Sequence, residues 1–485
     1  MTSEARLIHA LLPLCTPKEG VQEVNLDYAA TTPALQVAVD AVTEFIPWYG
    51  SVHRGGGLRS RRSTDAYETA RASVERFVGC PPDSSVVFVR NTTEAANVLA
   101  AALPPDSRIL CSPAEHHANL LPWRSHAVDY LPFTHTLADF LEVTEQRLRD
   151  AATTGTPYRL LAVTGASNVT GEVTPIGELT RLAHEHGALI FVDAAQLAPH
   201  RRIDLTGLDV DFLAFSGHKV YAPFGTGALI LRDEAVRGGM PLLKGGGAVR
   251  LVTLDDVAWG SSPGRYEAGT PNVVGAVALG AACDALAGVG MERIAAAEVL
   301  LARRLWSRLD ALDGVSLLRL WPDAIDRVGV ATFILADVDS HELGRRLADD
   351  WAIAVRAGSF CAHPLIAHLL EVDPSHSDAL LVAIGRGEEI SIPGAVRASI
   401  GLGTTEADIV SLVTALAHIS AEAQGVEDVG AAVSSLSNAW QTHDPATSAV
   451  SRPGTGAGTP RSPAQAASVA SSAMRGTSPH RSSSR

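Results

Sequence analysis

Between about residue 85 and residue 233 the chain alternates short β-branched apolar runs with longer stretches of helical spacing, and this alternation restricts the fold more than any other feature. The runs are Ser85–Arg90, Ser107–Ser112, Tyr158–Thr164, Ala188–Asp193, Asp211–Phe215 and Thr226–Leu231. Strands separated by helix-length segments predict an α/β fold, a mostly parallel sheet covered by helices. Downstream, a long amphipathic stretch at Met291–Leu312 leads to a strand-like Val330–Asp337, a helix-like Ser340–Trp351 and a last helix near Thr405–Glu422. These predict a smaller α+β domain. The expected organisation is an N-terminal extension over 1–25, a large domain over 26–290, a small C-terminal domain over 291–424 to which the N-terminal segment contributes, and a tail over 425–485. The tail turns to Ser, Ala, Gly, Pro and Thr, carries its last acidic residue at Asp444, and is expected to be disordered because it lacks the apolar periodicity needed to pack.

Composition removes several function classes. With 485 residues and 46% apolar composition the chain can fill a substantial core, so a globular enzyme is expected. Its 39 basic and 53 acidic residues leave a formal charge of -14, opposite to what a nucleic-acid surface requires, and no nucleic-acid partner is expected. Five scattered cysteines (Cys15, Cys80, Cys111, Cys283 and Cys361) form no C-x-x-C pair, which predicts neither a disulfide framework nor a metal knuckle and fits a reducing compartment. No run reaches the ~18 apolar residues of a membrane span, so a cytoplasmic protein with no membrane partner is expected.

The chemistry is carried by two residues at predicted strand ends. The run F-V-D-A-A-Q ends an apolar strand on Asp193, and 26 positions later F-S-G-H-K places Lys219 after the next one. A fixed carboxylate keeps a pyridine nitrogen protonated, and a lysine amine forms a Schiff base with an aldehyde, so the pair suits pyridoxal 5′-phosphate. A phosphate site is legible in V-F-V-R-N-T-T-E, where a strand passes through Asn91, Thr92 and Thr93 into a helix N-terminus that presents N–H groups and hydroxyls. The same four residues N-T-T-E also read as a plain capping box. Ser216 and His218, on the lysine-bearing loop, can add donors.

In chain order, L-D-Y-A-A-T-T-P (Leu26–Pro33), S-V-H-R-G (Ser51–Gly55), N-T-T-E, E-H-H-A-N (Glu115–Asn119), S-N-V-T-G (Ser167–Gly171), D-A-A-Q, S-G-H-K, Y-E-A-G-T-P-N (Tyr266–Asn272), R-A-G-S-F-C-A-H-P (Arg356–Pro364) and V-R-A-S (Val396–Ser399) resemble the cysteine desulfurase and selenocysteine lyase group of the class V pyridoxal-phosphate enzymes. The resemblance runs from about Leu26 to Ala421 and implies fold type I of the pyridoxal-phosphate transferases. It implies that His116 stacks on the cofactor ring and handles protons, that Asn168 and Gln196 bond the cofactor hydroxyl, and that Thr92, Thr93, Ser216 and His218 hold the phosphate. Thr270 resembles the residue that reaches the phosphate of a partner subunit, which implies a homodimer. Arg397 resembles the arginine that receives the substrate carboxylate, with Ala29 and Ala30 beside it. A planar fork of donors suits a carboxylate.

Two departures stand out. The stretch from Cys361 to Arg397 is long, with an insert such as Asp373–Ile392 expected to roof the pocket or change what enters it, and Ser51 stands where asparagine is common. The function implied is the desulfuration of free cysteine to alanine, with Cys361 taking the sulfur as a persulfide and passing it to an acceptor protein. The alternative is a lyase, epimerase or aminotransferase of the same fold that depends on Lys219 but not on Cys361, acting on another amino acid.

Overall fold

The computed structural model describes residues 3–16, 23–390 and 392–425. The tail read from the sequence over 425–485 lies outside these residues beyond Gly425, as does the 17–22 part of the N-terminal extension.

A seven-stranded sheet is the frame, in the order Ser84–Val89, Gly227–Arg232, Phe212–Ser216, Leu189–Asp193, Leu160–Thr164, Arg108–Cys111, Ala127–Tyr130. Only Gly227–Arg232 runs against its neighbours, and the other adjacent pairs are parallel. The six runs read from the sequence are therefore strands, each within a residue or two of its expected ends. The seventh, Ala127–Tyr130, is an edge strand whose A-V-D-Y is too short and too exposed to read as one.

Period-two geometry explains why these strands are apolar throughout. On one face Val87, Ile109, Leu160, Phe191, Phe212 and Leu229 pack with Leu99 of the helix Thr92–Ala102. On the other, their neighbours Val86, Leu110, Leu161, Ile190, Leu213 and Ile230 pack against the helices Ile176–Glu185 and Val273–Val289. Both faces are covered, so each strand position meets protein. Truncating a fully buried ring such as Phe191 to alanine would destabilise the fold by about 3–5 kcal/mol.

A second, antiparallel sheet follows in the order Val315–Leu317, Val330–Leu335, Ala395–Ser399, Arg356–Gly358. The helices Met291–Asp310, Ser340–Trp351 and Glu406–Ala423 pack on it through Leu305, Leu347 and Leu416. Leu26 joins this core, Val24–Asn25 pairs in parallel with Ile353–Ala354 as a separate two-stranded sheet, and an isolated bridge from Asp27 to Ser399 ties this N-terminal segment to the C-terminal domain. Among the described residues no single helix is long and apolar enough to cross a membrane. All five cysteines are free, and only Cys361 is exposed.

Candidate active site

Parallel strands deliver their C-terminal residues to one edge of a sheet, and in such folds that edge is where ligands bind. Here it carries Asp193 at the end of Leu189–Asp193, Ser216 at the end of Phe212–Ser216 with Lys219 just beyond it, and Asn91–Thr93 just beyond Ser84–Val89. The second sheet closes over this edge. Arg356 and Arg397, opposite each other in register on adjacent strands, and the turn at Phe360 and Cys361 supply the facing wall. The cleft between has a volume of about 310 Å³ and is lined by Ala29, Ala30, Thr92, Thr93, His116, Asn168, Asp193, Gln196, Ser216, His218, Lys219, Cys361 and Arg397. Every site residue expected from the sequence therefore meets in one place, with a single exception. Thr270 is exposed on a separate loop and does not line this cleft.

The floor is desolvated. Asp193 is 4% exposed, and its Oδ1 accepts the Ala195 N–H at 2.9 Å. Burial holds its carboxyl above the usual range, against the opposing pull of that N–H and of Lys219. The amine of Lys219 is lowered to about 8, first by burial, with Asp193 opposing and Arg397 adding to the shift. His116 is pushed down to about 3 by burial and the nearby Lys219, so its imidazole is neutral at physiological pH. Its Nδ1 accepts the Ala118 N–H at 3.0 Å, which assigns the proton to Nε2.

The helix Thr92–Ala102 begins with Asn91 in the capping position, where its side chain accepts the Glu94 N–H at 3.0 Å. The capping-box reading of N-T-T-E is met only in its Asn91 half, because Glu94 Oε2 accepts the Arg90 N–H at 2.5 Å and not the Asn91 N–H, and an anion cradle remains beside it. The Thr92 N–H donates to Ser216 Oγ at 3.0 Å, whereas the Thr93 amide and hydroxyl have no partner among the described residues. His218 lies alongside with Nδ1 3.2 Å from Thr31 Oγ1, its basicity lowered first by burial and then by Lys219.

On the wall, Arg397 is 3% exposed. Its Nη1 donates to the Asn168 carbonyl at 2.9 Å and its Nη2 to Asp27 Oδ1 at 3.3 Å, while Nε is buried without a partner. Burial lowers the group to about 10, with Asp27 opposing, so it is still charged at neutral pH. Asp27 also accepts from Arg356 at 2.6 Å, and the Arg397 guanidinium lies 5.0 Å from the Phe360 ring centre. Phe360 and Cys361 both hold positive φ, +52° and +53°, a conformation that non-glycine residues adopt only when held. The holding bonds are Asn168 Nδ2 to the Phe360 carbonyl at 2.9 Å and the His117 N–H to the Cys361 carbonyl at 2.7 Å. Asn168 thus braces both the arginine and the cysteine turn. Gln196, expected at a cofactor hydroxyl, donates Nε2 to the Ala29 carbonyl at 2.6 Å and keeps its second N–H free of that bond.

The long insert does not roof the cleft. Its helix Pro374–Gly385, started by Asp373 accepting the Ser375 N–H and by proline in the first turn, has no buried residue, and no described residue of Asp373–Ile392 lines the cleft. Phe360 lines the cleft instead. Sequence reasoning passed over Phe360 and Asp27 as functional residues although both sit inside quoted motifs. Their partners are 37 and 370 positions away, at Arg397, beyond the reach of any local signal.

The residues fit pyridoxal phosphate. Asp193 is a buried carboxylate whose Oδ1 accepts the Ala195 N–H while its Oδ2 has no hydrogen bond among the described residues, which a protonated ring nitrogen would satisfy. A lowered amine stands near it, and an unfilled N–H and hydroxyl at a helix N-terminus face the same space.

Known proteins agree with this geometry. The family model described as Aminotransferase class-V matches residues 24–412. A probable cysteine desulfurase of Halalkalibacterium halodurans is 35% identical over 378 residues, 75% of this chain and 90% of that protein. The cysteine desulfurase of Dickeya dadantii is 36% identical over 412 residues, 81% of this chain and 91% of its own. Among solved structures, the cysteine desulfurase CsdA of Escherichia coli superposes with a TM-score of 0.70 at 31% identity, covering 87% of this chain and 98% of that one. With a match of this extent, the chain belongs to the class V aminotransferase family, whose members are pyridoxal-phosphate enzymes, and its relatives there are cysteine desulfurases.

Proposed function

We propose that this chain binds pyridoxal 5′-phosphate on Lys219 and converts L-cysteine to L-alanine, with Cys361 taking the sulfur as a persulfide and passing it to an acceptor protein. The observation that carries the reading is the position of Cys361. It is exposed, sits on a braced left-handed turn, and faces the same cleft as Lys219 and Arg397.

When bound, the cofactor supplies an electron sink for the bond changes at the substrate carbons. The chain's residues do the rest. Arg397 would receive the substrate carboxylate, for which its planar fork of donors at the cleft is suited. Asp193 would keep the ring nitrogen of the cofactor protonated, and the neutral His116 would pack on the ring and offer the proton on its Nε2. Asn168 and Gln196 would hold the ring hydroxyl, and Thr92, Thr93, Ser216 and His218 would hold the phosphate, with Ala29 and Ala30 placed to flank the substrate. Lys219, titrating near pH 8, takes and returns a substrate proton. The Cys361 thiolate then attacks the substrate sulfur. A sulfur–sulfur bond forms as the carbon–sulfur bond breaks, and the electron pair left on carbon is protonated to give alanine.

We also read the active unit as a homodimer of chains with a large domain over 26–290 and a small one over 291–424, in the cytoplasm. Support for the dimer comes from the loop of Thr270, tied through the Gly269 N–H to the Gly246 carbonyl at 2.8 Å, next to the hairpin Val249–Val252 and Val257–Trp259. That hairpin exposes Leu251, Val252 and Leu254. The test is a product assay on purified protein given cysteine, selenocysteine and a panel of other amino acids. Alanine and a Cys361 persulfide formed from cysteine support the reading. Turnover of another amino acid with no sulfur on Cys361 would replace it with the lyase or aminotransferase alternative.

A further inference from the structure

Three residues before Thr270, Glu267 is a buried carboxylate with four hydrogen-bond donors around it. Its Oε1 accepts from Arg71 Nη1 at 2.8 Å and from the Phe88 N–H at 2.7 Å. Its Oε2 accepts from Arg71 Nη2 at 3.0 Å and from the Tyr67 hydroxyl at 2.9 Å. The Arg71 and Glu267 side chains are 7% and 6% exposed. A carboxylate with four donors around it, half of them from one rigid fork, cannot swing without stranding a buried charge, so it acts as a fixed point.

What it fixes joins two phosphate-facing segments. Phe88 lies on the edge strand Ser84–Val89, whose outward N–H the carboxylate satisfies, and that strand runs directly into Asn91–Thr93 at the anion cradle. Tyr67 and Arg71 come from the helix Leu58–Val78. On the far side of Thr270, Asn272 caps the helix Val273–Val289 and donates to the Phe224 carbonyl at 2.7 Å. Between the two anchors Gly269, at φ +91°, makes the reversal that a side chain would oppose. The Thr270 hydroxyl itself has no partner among the described residues.

We propose that Glu267 is a positioning residue for the cofactor phosphate. One carboxylate ties the strand that ends in this chain's own cradle to the loop that offers Thr270 to the partner's cleft. The proposal rests on the reading that Thr270 meets the phosphate across a dimer.

The test uses the full-length protein stripped of cofactor and titrated with pyridoxal phosphate and, separately, with pyridoxal, which lacks the phosphate. Glu267→Gln is expected to weaken pyridoxal phosphate binding roughly tenfold, the order of one lost charge-assisted hydrogen bond, and to leave pyridoxal binding unchanged. Thr270→Ala is expected to match it, and the double variant to lose no more than either alone. If Glu267→Gln binds both compounds like the parent, or loses both equally, the positioning role is overturned. If Thr270→Ala binds like the parent, the assignment of Thr270 falls and takes the proposal with it, whichever way Glu267→Gln behaves. Tyr67→Phe removes one donor and keeps the ion pair, so it serves should Glu267→Gln fail to fold. A loss of severalfold confined to the phosphorylated compound supports the proposal, and no loss overturns it.

Discussion

The two sides of the cleft are built on different principles. The floor stands on the ends of the seven-stranded sheet, with Asp193 and Ser216 each 4% exposed and every ionisable group moved from its ordinary value by burial. The wall hangs from the four-stranded sheet, where Arg397 is buried but Arg356 and Cys361 reach solvent and the cysteine sits in a backbone conformation held from outside by Asn168 and His117. On the proposed reading the difference follows from the work of each side. Groups that fix a cofactor gain from low dielectric and rigid support, whereas a nucleophile proposed to pass its sulfur onward has to meet solvent.

The comparison breaks most visibly at the floor. Lys219→Ala should abolish the visible absorbance of lysine-bound cofactor and reduce turnover by at least ~10⁴-fold, because no other amine among the described residues lines the cleft. Absorbance and turnover both retained in the purified variant would refute the assignment. On the wall the effect should be smaller and confined to substrate. Arg397→Lys keeps the charge and loses the fork, and is expected to raise KM for cysteine roughly 30-fold, ~2 kcal/mol, with cofactor affinity unchanged. Steady-state kinetics alongside a cofactor titration would read both numbers.

A finer test uses pH. A lysine lowered to about 8 is uncharged above that pH and not only above 10.5, so its reactive form grows as pH rises through 8 and then levels off. The rate of cofactor uptake by the stripped protein should therefore climb about tenfold between pH 7 and pH 9 and be flat beyond. A climb continuing toward pH 10.5 would mean that the floor is wetter than its burial indicates.

How much of this was legible without coordinates divides along the same line. The floor was readable because its strands are apolar on both faces and end in polar residues, so Asp193, Lys219 and Asn91–Thr93 announced themselves in sequence. The wall was harder. Arg356–Gly358 and Ala395–Ser399 are short runs of small residues and arginine that become strands only by pairing with each other across an insert of more than thirty positions. Asp27, which bridges two arginines more than 300 positions away, looked like part of a motif and nothing more. The insert was expected to roof the pocket or change what enters it; it does not roof the cleft and instead projects a helix with no buried residue, because proximity to Cys361 in sequence says nothing about which way a chain leaves the edge of a sheet.

The claim that rigid floor and exposed wall divide the labour is tested most directly by Cys361→Ser, followed by mass spectrometry of the protein and alanine release after addition of cysteine. The variant should bind cofactor and respond spectrally to cysteine like the parent, gain no sulfur, and release alanine at least ~10³-fold more slowly, since a hydroxyl is a poor nucleophile at neutral pH. Alanine released at a rate close to the parent's would contradict the account, leaving Cys361 a bystander at the mouth of a cleft whose chemistry is finished on the floor.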